Sequence, residues 1–196
     1  MCGRFVLTVD QKTIESHYNV VLPEGFESNN NVSPTQQIPI IIKSEQALIA
    51  VFARWGLIPS WSKDKAIGYK MINARAETID EKPSFKSSFK SRRCLIPANG
   101  FYEWKTLDNG KKIPCLFKLK SDEMFSFAGL WSDWIDPVLK ESITTCTIIT
   151  TEPNQLVASV HDRMPVILSK EDEAKWLTSP DKGLLSPYNE YLMAIV

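Results

Sequence analysis

The chain begins Met1-Cys2-Gly3-Arg4-Phe5, and removal of Met1 would leave Cys2 with a free α-amine beside its thiol. Such a 1,2-aminothiol condenses with aldehydes. The amine forms an imine, then sulfur adds to the same carbon and closes a five-membered thiazolidine. An α-amine titrates near ~7.7–8.0 and a free thiol near ~8.5, so both are partly nucleophilic at neutral pH. Gly3 lets the backbone approach a reaction partner closely, and Arg4 offers a guanidinium to an anion. A cysteine is equally a small buried hydrophobe, so these five residues leave both roles open.

Three further residues could share that chemistry. Glu103 lies in Phe101-Tyr102-Glu103-Trp104; in a strand it shares a face with Phe101 and Lys105. A carboxyl hemmed in by aromatics loses solvation, which raises its pKa and suits it to moving protons. Its other reading is a solvent-facing glutamate paired with Lys105. His161 precedes an Arg-Met-Pro turn that could aim the imidazole, the usual neutral-pH proton carrier, into a cleft. A satisfied loop histidine is the alternative. Asn73 could orient the reacting centre through its amide or serve only as a turn residue. Arg75, two positions on, shares its face if the segment is extended, which favours a phosphate contact.

Charge supports an anionic partner. The whole chain is formally neutral, against indiscriminate nucleic-acid binding, yet residues 54–93 hold ten Lys or Arg against four Asp or Glu. That window is +6 and the remainder −6, which suggests a basic face for phosphates or a solvated Lys-rich loop. Trp61 and Tyr69 flank basic residues there, an arrangement suited to stacking on single-stranded bases. With six Trp in the chain, core packing is the default for most of them. Four cysteines far apart with no CxxC fit reduced thiols better than disulfides or zinc. Two histidines leave little for a metal. No apolar run approaches a membrane span and no signal peptide is evident, so a cytoplasmic protein is expected.

The elements that must position these residues follow from periodicity and turn chemistry. Residues 1–7 read as a strand anchoring the terminus, and Thr8-Val9-Asp10-Gln11 as a capping box opening a helix to about Tyr18. Residues 22–37, rich in Pro, Asn, Gly and Ser, read as loop. Residues 38–43 and 47–53 are apolar strands, and residues 62–93 hold short helices. Residues 94–97 and 101–105 are strands flanking an Asn99-Gly100 turn. Asp108-Asn109-Gly110 is a hairpin signal leading to strands at 114–120 and 125–129. Residues 143–150 form another strand, a short helix runs through Val160, and residues 166–168 are a strand. Ser169 then caps a helix containing Trp176 and Leu177. One α+β domain over 1–196 is predicted, with a mainly antiparallel, barrel-like sheet and peripheral helices.

The opening Met1-Cys2-Gly3-Arg4-Phe5, Arg54-Trp55-Gly56-Leu57-Ile58-Pro59, Asn73-Ala74-Arg75-Ala76-Glu77, the run from Arg92 through Trp104 and His161-Asp162-Arg163-Met164-Pro165 together resemble the SRAP family, the SOS-response-associated peptidases. The resemblance covers nearly the whole chain in order; Asn99 stands where many members carry Asp. It implies DNA-damage protection by covalent capture of abasic sites in single-stranded DNA. Cys2 would trap the ring-opened C1′ aldehyde and Glu103 would relay protons. His161 would assist sugar-ring opening and Schiff-base steps, including reversal or strand cleavage. Asn73 would position Cys2, while Arg4, Arg75 and Arg163 would hold phosphates. Trp61 and Tyr69 would stack on or displace bases, and Ser33 and Pro34 would line the cleft. It further implies autoproteolytic exposure of Cys2, no metal or organic cofactor, and a monomer working on damaged DNA at the nucleoid. Two rivals remain: an N-terminal-nucleophile amidohydrolase in which Cys2 attacks an amide with its own amine as base, and a non-catalytic single-strand binding module.

Overall fold

The computed structural model describes residues 2–196, so Met1, whose removal is expected to free Cys2, lies outside the described residues. The chain enters through β1 (Arg4–Leu7) and α1 (Gln11–Tyr18). Asp10, not Thr8, caps that helix: its Oδ1 accepts from Thr13 N–H at 2.7 Å. A carboxylate is the stronger acceptor for an open helix N–H, and Thr8 is engaged elsewhere. Next come β2 (Asn29–Val32), β3 (Gln37–Lys43) and β4 (Leu48–Trp55). The expected loop at 22–37 thus contains a strand. Its residues, Asn-Asn-Asn-Val, have no strand propensity of their own and become extended through pairing with β1.

The basic segment is built from 3₁₀ turns at Lys65–Lys70 and Ala76–Thr78 around the short β5 (Asn73–Arg75), followed by α2 (Lys86–Ser91). Then follow β6 (Arg93–Ala98), β7 (Gly100–Thr106), β8 (Lys112–Leu119), β9 (Phe125–Ile135) and β10 (Ser142–Thr151). The chain closes with α3 (Gln155–Ala158), β11 (Met164–Pro165), β12 (Ile167–Leu168), α4 (Lys170–Thr178) and β13 (Met193–Ile195).

Two sheets result. One is antiparallel in the order β13-β8-β7-β1-β2. In the other, β10 pairs with β4, β4 with β3, β3 with β6, β6 with β9, and β9 again with β10. That cycle closes a five-stranded barrel, which removes the open edges of the ring. Strand β10 is long enough to continue beyond it. Its first part lies parallel to β4 and its second part parallel to β5, and β11 returns antiparallel against its end. Mainly antiparallel α+β architecture is therefore observed, with β10 supplying the parallel pairs.

Asn99-Gly100 turns out to be a sheet switch and not a hairpin. Strand β6 belongs to the barrel and β7 to the other sheet, so the chain changes layers at this point. Asn99 is buried and ties the switch to the N-terminal strand: Thr8 N–H donates to Asn99 Oδ1 at 2.8 Å, and Asn99 Nδ2 donates to Thr8 Oγ1 at 2.9 Å. Phe5 joins the layers from the other direction, packing edge-on against Trp55 at 5.3 Å and Phe127 at 5.7 Å. All three rings are fully buried. The first strand is thereby clamped to the barrel.

Asn99→Ala leaves the Thr8 N–H without its acceptor and is expected to cost about 1–2 kcal/mol in denaturant unfolding. Asn99→Asp keeps the acceptor and lets the Thr8 hydroxyl donate, so it should cost less than half as much. Equal losses for the two variants would show that the bonds do not hold the switch.

Candidate functional site

Strand pairing brings the chain terminus to Glu103. Arg4 lies across from Tyr102, Phe5 from Phe101 and Val6 from Gly100. Carried one residue further, that register sets Gly3 opposite Glu103 and Cys2 just beyond. Cys2 is 0% exposed, and its thiol leans toward Arg4 O at 3.7 Å. Burial, and next the Glu103 carboxylate, push the thiol far above its ordinary value. Desolvation of this kind disfavours the thiolate, so the thiol needs a base at hand to become nucleophilic.

Asn73 opens β5, and its Nδ2 donates to Cys2 O at 2.9 Å. Parallel pairing with β10, Asn73 beside Ile148 and Arg75 beside Thr150, fixes the direction of the amide. Its Oδ1 is buried and has no hydrogen-bond partner among the described residues.

Glu103 is 1% exposed, on the buried face it shares with Phe101, while Lys105 at the end of that face is exposed. Burial, with a smaller contribution from Asp162, pushes its carboxyl up to about 7. The group is thus poised to take or give a proton near neutrality. The solvent-facing alternative does not occur.

His161 reaches the same place from the opposite side. Asn154 caps α3 by accepting from Val157 N–H at 2.9 Å, and His161 N–H closes the turn onto Val157 O at 2.9 Å. The ring then sits with Nε2 3.7 Å from Glu103 Oε2. Nδ1 lies 3.0 Å from Arg163 N–H and 2.9 Å from Asp162 Oδ1. These two neighbours demand opposite protonation of Nδ1. The buried backbone donor is fixed, whereas Asp162 is 85% exposed and solvated. Burial also lowers the pKa of the ring. The Arg163 N–H favours an unprotonated Nδ1, which in a neutral ring places the proton on Nε2, toward Glu103.

The DNA-facing expectations divide. Trp61 and Tyr69 are 60% and 64% exposed. Ser62, next to Trp61, is anchored by Trp134 Nε1–H donating to its carbonyl at 2.7 Å, and Tyr69 has the Arg54 guanidinium 5.2 Å from its ring centre. Arg75 is exposed, Arg4 half-buried with Nη1 donating to Gly3 O at 3.0 Å. Ser33 and Pro34 are half-buried. Thr35 after them adopts φ 77°, strained for a β-branched residue, with its N–H held by Trp55 O at 2.8 Å. Arg163 is different. It is buried, and its guanidinium is taken up by both carboxylate oxygens of Glu77 and by Thr150 O at 2.7 Å. Its guanidinium is thus engaged within the chain, as burial of a guanidinium requires. Glu77 and Asp162 were not singled out from sequence. Both stand inside the quoted motifs, but nothing local marks Glu77 as the partner of a residue 86 positions away.

A cavity of about 410 Å³ lies toward the Leu7–Asn29 end of β1 and β2 and includes none of these residues. Among the described residues no helix is long and apolar enough to cross a membrane, and no three His, Cys, Asp or Glu gather as a metal site would need.

The Asn73 amide thus bonds to Cys2, and the His161 ring faces the buried Glu103 carboxyl. The chain belongs to the SRAP family: it matches the profile of the SOS response associated peptidases over residues 1–195. It is 51% identical to the abasic site processing protein YoqW of Bacillus subtilis (strain 168), with 96% of this chain and 88% of that protein covered. To the abasic site processing protein HMCES of Xenopus tropicalis it is 31% identical over 79% of this chain, which spans 55% of that longer protein. A solved structure from Bacteroides thetaiotaomicron superposes with a TM-score of 0.91 at 30% identity, covering 99% of this chain and 90% of that one.

Glu103 has a pH signature. Its folded pKa of about 7 exceeds the unfolded value of ~4.3, so the stability it contributes is complete below ~4.3 and lost as pH rises through about 7. Glu103→Gln should therefore be more stable than the parent at pH 8, with the gain fading toward pH 5. A gain that grows on acidification would contradict the assignment.

Proposed function

We propose that the protein processes abasic sites in single-stranded DNA by capturing them covalently through Cys2 once Met1 is removed. The observation that carries this reading is the convergence on Cys2: Asn73 Nδ2 holds its carbonyl at 2.9 Å, and the buried Glu103 carboxyl interacts electrostatically with its thiol. The names of the relatives, abasic site processing proteins, agree with it.

The steps follow the order natural to a 1,2-aminothiol. The Cys2 amine attacks first, adding to the C1′ aldehyde of the ring-opened deoxyribose; loss of water leaves an imine. Asn73 Oδ1 is the acceptor available to orient that amine. His161, with Nε2–H inward, assists ring opening and the departure of water. Glu103 as carboxylate then takes the thiol proton while sulfur bonds to the imine carbon, and the proton passes to nitrogen as the thiazolidine closes. Release needs both new bonds broken, and shelter from bulk water slows hydrolysis further. Reversal, or strand cleavage from the imine stage, uses the same groups. Arg4 and Arg75 meet phosphates, Trp61 and Tyr69 stack on or displace bases, and Ser33 and Pro34 line the approach. The same terminus accounts for a peptidase activity if its exposure is autoproteolytic. Covalency supplies the lifetime, so a monomer with moderate phosphate contacts suffices, working in the cytoplasm on damaged DNA. An amidohydrolase would have no use for the basic segment and its exposed Trp61.

The test is a denaturing gel of mature protein mixed with an abasic single-stranded oligonucleotide. The parent should give a shifted band, Cys2→Ala none, and Cys2→Ser only a transient species trapped by borohydride. Glu103→Gln should slow capture by about a hundredfold. Encounter should weaken steeply with salt, whereas the finished adduct should survive it. No band from the parent, or an undiminished one from Cys2→Ala, ends the proposal.

A further inference from the structure

We propose that Glu77, acting through Arg163, is the positioning residue that decides which ring nitrogen His161 presents to the reacting centre. The inference rests on the capture reading and deepens it. Arg163 is gripped from two elements. Both Glu77 oxygens, from the 3₁₀ turn after β5, hold its guanidinium, with Nη2 at 2.9 Å from Oε2. Thr150 O, on β10, accepts from Nη2 at 2.7 Å. A bidentate fork held this way fixes orientation as well as distance. The main chain of the same residue therefore has little freedom, and its N–H donates to His161 Nδ1 at 3.0 Å. A ring nitrogen that accepts carries no proton. The neutral ring must then carry its proton on Nε2, the atom facing Glu103.

A second arrangement is close at hand. Asp162 Oδ1 lies 2.9 Å from Nδ1 and would receive a proton placed there. The ring would then turn an unprotonated Nε2 toward the site, or become an imidazolium. Among the described residues, the charged and titratable groups around it include Glu103 from β7, Lys112 from β8, and Asp162 and Arg163 from its own turn. Of these, Asp162 pulls the proton to Nδ1 and the Arg163 N–H pushes it off. Glu77 tips that balance by holding Arg163 in place. It has a half-exposed side chain, so its substitution opens no core cavity.

The chain has two histidines, so ¹⁵N long-range NMR resolves both rings, and the signal lost in His161→Gln assigns this one. The parent should show the Nε2–H tautomer. Glu77→Gln should gain Nδ1–H or imidazolium, with the titration midpoint moved up by about half a unit or more. Removing the competing acceptor in Glu77→Gln/Asp162→Ala should restore Nε2–H, which a merely unfolded or loosened variant would not do. In the capture assay Glu77→Gln should be about tenfold slower, with its pH profile displaced in the same direction. An unchanged tautomer and midpoint in Glu77→Gln, or no restoration in the double variant, overturns the proposal. The NMR result needs no DNA. A parent that makes no adduct therefore defeats the capture reading, and an unresponsive ring defeats the Glu77 assignment alone.

Discussion

Arg4 faces Tyr102 and Phe5 faces Phe101 across the β1–β7 ladder, and from that register the rest of the site follows. A chain terminus ordinarily frays, because its last residues lack partners. Here the ladder, the edge-on packing of Phe5 on Trp55 and Phe127, and the Thr8–Asn99 bonds hold the first strand on both faces. A slip of one residue would turn every side chain of β1 to the opposite face. Phe5 would leave the core and the terminus would no longer meet Glu103. Terminal chemistry thus depends on core packing.

The site costs the fold something. Glu103 is a buried acid, and its raised pKa records lost hydration. Asn73 keeps a buried amide oxygen without a partner among the described residues. Arg163 is a buried cation that needs Glu77 and Thr150 O to be tolerable. Such groups are unfavourable in a purely structural core; here Asn73 bonds to Cys2, Glu103 interacts with its thiol, and Arg163 meets His161. Their gathering makes this the candidate functional site.

Much of this was legible in the sequence. The strands at 38–43, 94–97 and 101–105 follow from apolar and aromatic runs, whereas Glu103, between Phe101 and Lys105 on one face, could have turned either way until the fold buried it. Partners set by tertiary pairing were not legible. Strand β2 is Asn-rich and exists because β1 lies beside it. Asn99-Gly100 has the chemistry of a hairpin turn, yet the chain there leaves one sheet for another. Arg163 reads as a surface cation until Glu77 arrives from a distant turn. Cys2 was visible by type and position, but the burial of its surroundings was not.

The central claim is that one residue contributes two bonds to the trapped sugar. Mature protein is incubated with abasic single-stranded DNA, denatured, treated with iodoacetamide and read by tandem mass spectrometry. The account predicts a Cys2 peptide carrying the sugar remnant, with mass corresponding to loss of one water and with its sulfur refusing alkylation. A sugar remnant on a lysine, or on a Cys2 whose thiol still takes up iodoacetamide, would contradict it.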